Sequence, residues 1–231
     1  MRTFQAELVW KYLRLIIAYI PVTMKILVYS LLVAMIIGIL AAVVRFKKIP
    51  VLSQIIRVLI SYVRGTPVVT QLFIIYFGLP QILKNVGIDL TGIPGLWFVV
   101  ITYGLNTGAA ISENLRAALA SVDKGQWEAS HAIGLSGFQA LRYIIMPQAM
   151  VVAVPNFSNI VVAALKNTSL AFAVGIVEMM TRAKLVSSSQ HHLIEGYLAV
   201  AIIYYILYLI LSFVFKHIEK AILRSIGGNV K

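Results

Sequence analysis

Residues 26–44 read ILVYSLLVAMIIGILAAVV, 19 positions without a charged side chain. About 20 apolar residues in a helix cross the hydrocarbon core of a bilayer, so this stretch is long enough to span one. Working outward, four more uncharged runs follow: residues 65–83 (19 residues), 90–112 (23), 143–165 (23) and 196–215 (20). Five candidate spans make this an all-α membrane protein, and an odd number puts the termini on opposite sides. Composition agrees. Of 231 residues, 60% are hydrophobic and 12% charged, the latter about half the fraction usual in a soluble domain. The mean hydropathy is +0.91. The net charge of +12 lies between the apolar runs, which suits topogenic flanks better than a nucleic-acid surface. With no cysteine, a disulfide scaffold, a thiolate metal site and a cysteine nucleophile are excluded.

Prolines qualify two of the spans. Pro147 suits the first turn of a helix, so the fourth crossing is expected from about Gln148 towards Thr168, with Pro155 inside it. Pro67 and Pro80 sit near the start and the end of the second. Basic residues orient the chain. With the N-terminus outside, eleven fall on inner segments: Arg45, Lys47, Lys48, Arg57, Arg116, Lys124, Arg142, Lys216, Lys220, Arg224 and Lys231. Eight fall outside (Arg2, Lys11, Arg14, Lys25, Lys84, Lys166, Arg182 and Lys184), and Arg64 is left within the second span. The expected orientation is N-terminus outside and C-terminus cytoplasmic. Ahead of the first span, Glu7, Lys11 and Arg14 recur on one helical face, with Leu8, Val9, Trp10, Leu13, Ile16 and Ile17 covering the rest. That pattern fits an amphipathic helix lying in the membrane interface. A secretory signal peptide fits less well, because basic residues interrupt the apolar stretch and no small-residue cleavage site stands out.

Residues 113–142, between the third and fourth spans, form the longest charge-bearing stretch of the chain. It is too short for a catalytic domain and too patterned for a passive linker. Residues 126–132 read as helix, Gly134 breaks it, and Ser136 can cap a second helix through Tyr143. Within it, Glu128-Ala129-Ser130 is followed three residues on by Gly134 and, nine further on, by Ile144 and Met146-Pro147. This resembles the EAA loop of ABC-importer permease subunits: Glu-Ala-Ala, three residues, Gly, nine residues, Ile-x-Leu-Pro. Spacing is complete; Ser130 replaces the second Ala and Met146 the Leu.

Other stretches resemble the polar amino-acid permeases in particular. They are Arg64-Gly65-Thr66-Pro67 leading to Gln71-Leu72-Phe73 and Tyr76-Phe77-Gly78-Leu79-Pro80, and Ser121-Val122-Asp123-Lys124-Gly125-Gln126-Trp127. Lys166-Asn167-Thr168-Ser169-Leu170-Ala171 matches with Asn167 in place of the usual acid, and residues 109–116 match without the usual aromatic. The resemblance implies an ABC importer type I permease fold, five transmembrane helices plus the N-terminal interfacial helix. Residues 1–231 would form a single transmembrane permease domain, with the coupling loop at about 121–147. It implies that Glu128, Ala129, Ser130, Gly134, Ile144 and Pro147 couple to a cytoplasmic ABC ATPase subunit dimer. A second permease subunit, identical or related, and an extracellular solute-binding protein complete the expected assembly in a bacterial plasma membrane.

The residues make mechanical sense of that role. Ala129, Ala132 and Gly134 keep one face small for a partner to approach, and Glu128 offers a carboxylate. Gly134 permits a turn that a Cβ would penalise, and Pro147 stiffens the exit into the fourth span. Taken alone, Glu128 reads equally as a solvated carboxylate at a helix start. No Gly-x-x-x-x-Gly-Lys-Ser/Thr loop occurs, so ATP hydrolysis in the P-loop manner falls to a partner and no enzyme activity or cofactor is expected.

A pathway for a zwitterion needs polar groups turned away from lipid, where charge is expensive. Asn106, Glu113, Asn159, Asn167, Thr168 and Ser169 are the candidates. Gly104-x-x-x-Gly108 beside Asn106 reads more simply as a helix-packing face, and Glu113 can pair with Arg116 one turn on. His191-His192 lack the spacing and carboxylate companions of a metal site and read as solvated loop residues. The stretch from Thr181 to Tyr197 looks most like cystine-type permeases of Gram-positive bacteria. L-cystine or a related sulfur amino acid is therefore the expected cargo, with glutamine or another polar amino acid as the alternative. A gradient-driven carrier or channel, the rival class, would need a buried acidic relay, and from sequence only Glu113 comes near one.

Overall fold

The computed structural model describes residues 3–225, and every regular element among them is helical. Arg2 and Lys231, which entered the charge tally, lie outside the described residues. The helices are α1 (Ala6–Ile17), α2 (Ile20–Phe46), α3 (Leu52–Gly65), α4 (Val68–Lys84) and α5 (Gly95–Ala120). They continue as α6 (Lys124–Ala132), α7 (Gly137–Val174), α8 (Met179–Ser188) and α9 (Leu193–Ser225). Helices α2, α5, α7 and α9 are each long and apolar enough to cross a membrane. The α3–α4 pair forms a further apolar unit, bent by 110°.

Glycines let α2 and α5 touch. A Cβ on Gly104 would lie 2.5 Å from Cγ1 of Val33, and one on Gly108 3.1 Å from the carbonyl oxygen of Ala34. The Gly104-x-x-x-Gly108 spacing is thus a close-packing face. Tyr29 stacks on Trp97 near the start of both helices, with ring centroids 5.7 Å apart. Arg45 reaches Glu113 towards the end of both, so α2 and α5 run parallel. The chain between them must recross, which makes the α3–α4 pair a broken fifth span. Gly104→Val forces a branched side chain into Val33 and should destabilise the bundle by about 1–3 kcal/mol. Heating the detergent-purified protein before size-exclusion chromatography checks this; an unchanged melting profile would remove Gly104 from the packing.

Prolines set where the spans deform. Thr66 and Pro67 both take extended backbone, so α3 stops at Gly65 and α4 starts at Val68. The residue before a proline is pushed out of the helical region. The helix of the second uncharged run therefore starts at Val68, and α3 precedes it across the bend. Within α4, Ile74–Gly78 form a π turn just ahead of Pro80; within α7, Leu141–Ile145 form one just ahead of Pro147. A proline has no N–H to offer the carbonyl four residues back, and its ring crowds that carbonyl, so the preceding turn widens. This also revises the fourth span. The helix that Ser136 starts does not stop at Tyr143 but continues unbroken through Gln148 into the fourth crossing. One helix of 38 residues runs from Gly137 to Val174, tightening to 3₁₀ turns over Thr168–Val174.

At the other end of the bundle, α1 lays Val9, Tyr12, Leu13 and Ile16 on Met179 and Ala183 of α8 and on Ala199, Val200 and Ile203 of α9. Its Glu7, Lys11 and Arg14 are exposed, as are Trp10 and Ile17. The nearby histidine pair is not a uniformly solvated loop. His191 takes a left-handed conformation (φ 58°), its N–H bonded to Ser188 O and that of His192 to Ser187 O. This closure of α8 accompanies an inward turn of the chain. His192 is buried, with Nδ1 2.9 Å from Oε1 of buried Glu195, which also accepts the Gln5 N–H at 3.0 Å.

Candidate coupling hairpin and translocation face

Helix α6, the turn after it and the first turn of α7 form a hairpin at the end of the bundle where α2 finishes. Asp123 caps α6, its Oδ1 accepting the Gly125 N–H at 2.7 Å. At the far end the Gly134 N–H reaches His131 O (2.9 Å) and the Leu135 N–H reaches Ser130 O (3.1 Å), with Gly134 at φ +83°. These paired bonds are a left-handed helix cap, so the spacing from Ser130 to Gly134 is set by backbone geometry. Ser136 then starts α7 with a reciprocal box: its N–H donates to Gln139 Oε1 (2.8 Å) and its Oγ accepts the Gln139 N–H (3.3 Å).

The inner face of the hairpin is fixed to the spans. Trp127 stacks on Phe46 of α2 at 6.2 Å and on His131 at 6.4 Å. Ser130 is buried and donates its hydroxyl to Trp127 O at 2.7 Å, so a serine in place of alanine leaves no unmet bond. The Gln148 amide donates to Gln126 at 3.3 Å, next to half-buried Pro147 and Ile144. The outer face is different. Glu128, Ala129 and Ala132 are exposed, and so are Ile133 (74%) and Phe138 (70%). Large apolar side chains beside two alanines and an exposed carboxylate form a surface suited to another protein.

The six pathway candidates separate by what they hold. Asn106 donates to Gln71 Oε1 at 3.2 Å, while Gln71 Nε2 donates to the carbonyls of Val63 (2.6 Å) and Thr66 (3.0 Å). That pair fastens the α3–α4 break to α5. Glu113 accepts from Arg45 at 3.0 Å and from Arg116, tying the ends of α2 and α5. Thr168 is buried, donates to Leu165 O at 2.7 Å and lies 3.2 Å from the Tyr204 hydroxyl. Ser169 donates to Lys166 O at 2.7 Å. Asn159 and Asn167 make no side-chain hydrogen bond among the described residues. Asn159 is exposed on the same stripe of α7 as Asn156 and Lys166. An amide stripe along a span is poorly suited to lipid, so this face turns to protein or water.

Sequence reasoning missed a second acidic residue, Glu178, which is 0% exposed. It caps α8, accepting the N–H groups of Met180 and Thr181, each at 2.8 Å, and the Tyr204 hydroxyl at 3.1 Å. Burial pushes its carboxyl above the ordinary range, against the pull of those donors. Glu113 is therefore not the sole inward acid. The signal was present, since Glu178 is the lone charge in residues 167–181. Among the described residues, no group of three His, Asp or Glu side chains is placed to hold a metal ion.

A bundle of five crossings with an exposed hairpin between the third and fourth defines a membrane permease. The chain belongs to the family of binding-protein-dependent transport system inner membrane components, whose model matches residues 34–224. It is 40% identical over 224 residues to the L-cystine transport system permease protein TcyL of Bacillus subtilis (strain 168), covering 97% of this chain and 94% of TcyL. It is 32% identical over 217 residues to the glutamine transport system permease protein GlnP of Escherichia coli (strain K12), covering 94% and 97%. The crystal structure of an amino acid ABC transporter with histidines superposes with a TM-score of 0.84 at 27% identity, covering 95% of this chain and 100% of that one. An inward-facing MetNI methionine ABC transporter gives 0.73 at 16% identity over 90% and 96%, a likeness of fold.

Proposed function

We propose that the chain forms half of the translocation pathway of an ATP-driven amino-acid importer, with L-cystine or a related sulfur amino acid as its cargo. The observation that carries this is the hairpin: rigidly capped, stacked on α2 through Trp127, and exposing Glu128, Ala129, Ile133 and Phe138. In this reading the hairpin docks on a cytoplasmic ATPase subunit, Ser130 and Gly134 set its shape, and Ile144 and Pro147 carry motion into α7. ATP binding draws two such hairpins together, and the bundle opens outward to receive cargo from an external binding protein. The N-terminus then lies outside and the C-terminus inside a bacterial plasma membrane. A second permease, identical or related, closes the pathway.

The likeness to TcyL supports cystine, and the likeness to GlnP supports glutamine as the second reading. Neutral Asn167, two turns beyond Asn159 on α7, suits a zwitterion, since an amide can donate to a carboxylate or accept from an ammonium. ATP-loaded vesicles carrying the permease, its ATPase and its binding protein should take up labelled cystine faster than glutamine. The variant Asn159→Ala, Asn167→Ala should lose about tenfold in uptake, the worth of one or two hydrogen bonds. Full uptake by that variant would exclude both amides from the pathway, and uptake driven by an ion gradient without ATP would overturn the reading.

A further inference from the structure

At the hairpin end of the bundle, α2, α5, α7 and α9 enclose a cavity of about 530 Å³. Its wall is almost wholly apolar: Ile39 and Val43 of α2, Leu115 of α5, Met150 of α7 and Ile218 of α9 contribute to it. Phe157 and Phe215 meet edge to face within it at 6.0 Å. The space is open on one side, where Ile39, Val43 and Ile218 are each more than a third exposed. It does not border the amide stripe of α7, since none of Asn156, Asn159 or Lys166 lines it.

Basic residues follow the lining residues in sequence on three of the four walls. Exposed Lys47 and Lys48 follow the lining residue Phe46, and exposed Arg142 follows the lining residue Leu141. Exposed Lys216 and Lys220 flank Ile218 on α9, with Glu219 between them as the one acid there. Arg45 and Arg116 do not count, because Glu113 already engages both. None of Lys47, Lys48 or Arg142 forms an ion pair with a carboxylate among the described residues.

From this juxtaposition we infer that the cavity is a binding site for an anionic phospholipid of the bilayer. Its tails fill the apolar space and its headgroup phosphate lies on Lys47, Lys48 and Arg142. Basic clusters beside membrane-facing clefts are the usual receptors for such headgroups. A second copy of the chain would bring the same cations to this mouth and repel, whereas a phosphate neutralises them. The lipid braces the end of α2, on which the hairpin stacks through Trp127, and the start of α7, into which the hairpin runs.

The test uses the full chain in its transporter complex, purified and exchanged into phosphatidylglycerol or phosphatidylcholine. Native mass spectrometry should find phosphatidylglycerol retained on the permease and phosphatidylcholine lost. The variant Lys47→Gln, Lys48→Gln, Arg142→Gln should bind phosphatidylglycerol about a hundredfold more weakly. Val43→Trp, which fills the cavity from its exposed side, should displace the lipid with all basic residues intact. Equal retention of both lipids, or unchanged retention by either variant, would overturn the inference. So would an Ile39→Cys cross-link to a second permease, which would show protein seated on the groove.

Discussion

Glu178→Ala is expected to lower the melting temperature of the permease further than any other substitution considered. The alanine leaves the N–H groups of Met180 and Thr181 and the Tyr204 hydroxyl without the carboxylate that accepts from them, at a position with no exposed surface. Each unmet buried group costs about 1–3 kcal/mol. The two N–H groups lose their acceptor outright, while the Tyr204 hydroxyl keeps Thr168 Oγ1. The loss is therefore about 2–6 kcal/mol, against a typical net stability of about 5–15 kcal/mol. The consequence extends beyond α8. Tyr204 also touches Thr168 at 3.2 Å, and the Met179 N–H beside the cap donates to Thr23 on α2 at 3.4 Å. One carboxylate thus holds the ends of α7 and α8 against α9, next to a contact that reaches α2. Glu178→Gln keeps an acceptor oxygen and should recover most of the loss. Melting profiles of the purified variants decide: an alanine variant as stable as the parent would show that water enters and satisfies these groups.

What the sequence made legible was what adjacent residues decide among themselves. The run at 26–44, the Gly104-x-x-x-Gly108 face and the Ser130–Gly134–Ser136 hairpin all rest on contacts within a turn or along one helix face. The α3–α4 break was half visible. Pro67 marked its position, but α3 escaped the uncharged-run count because Arg57 and Arg64 lie on its polar side. The polar hubs were not legible, because their partners are remote in the chain. Tyr204 lies 26 residues from Glu178, Asn106 lies 35 from Gln71, and Gln5 lies 190 from Glu195. His192 is the sharpest case. Nothing in Ser189-Gln190-His191-His192 indicates that a left-handed turn at the third residue accompanies burial of the fourth. Nor did sequence separate a residue that faces cargo from one that fastens helices. Asn106, Glu113 and Thr168 share polarity and span position with Asn159 and Asn167, yet the first three are bonded to other helices or to their own backbone.

That distinction sharpens the remaining prediction, Glu128→Arg, which should abolish ATP-driven uptake without disturbing the fold. Glu128 is exposed and forms no ion pair among the described residues, so charge reversal leaves no buried group unmet. At a docked interface the same change leaves a partner's donors facing a cation. Losing a buried charge contact at an interface costs about 2–5 kcal/mol, or roughly 30-fold and upward in binding. Uptake in vesicles and co-purification of the ATPase should therefore fall together, with the melting profile unchanged. Trp127→Ala separates docking from transmission. Its ring is turned to Phe46 and His131, so the variant should still retain the ATPase while the stack that ties the hairpin to α2 is cut. ATP hydrolysis should then continue without stimulation by loaded binding protein, and uptake should drop. If Trp127→Ala released the ATPase as Glu128→Arg does, the stack would be shaping the docking surface itself, and the mechanical link would have to run through Pro147 and α7 alone.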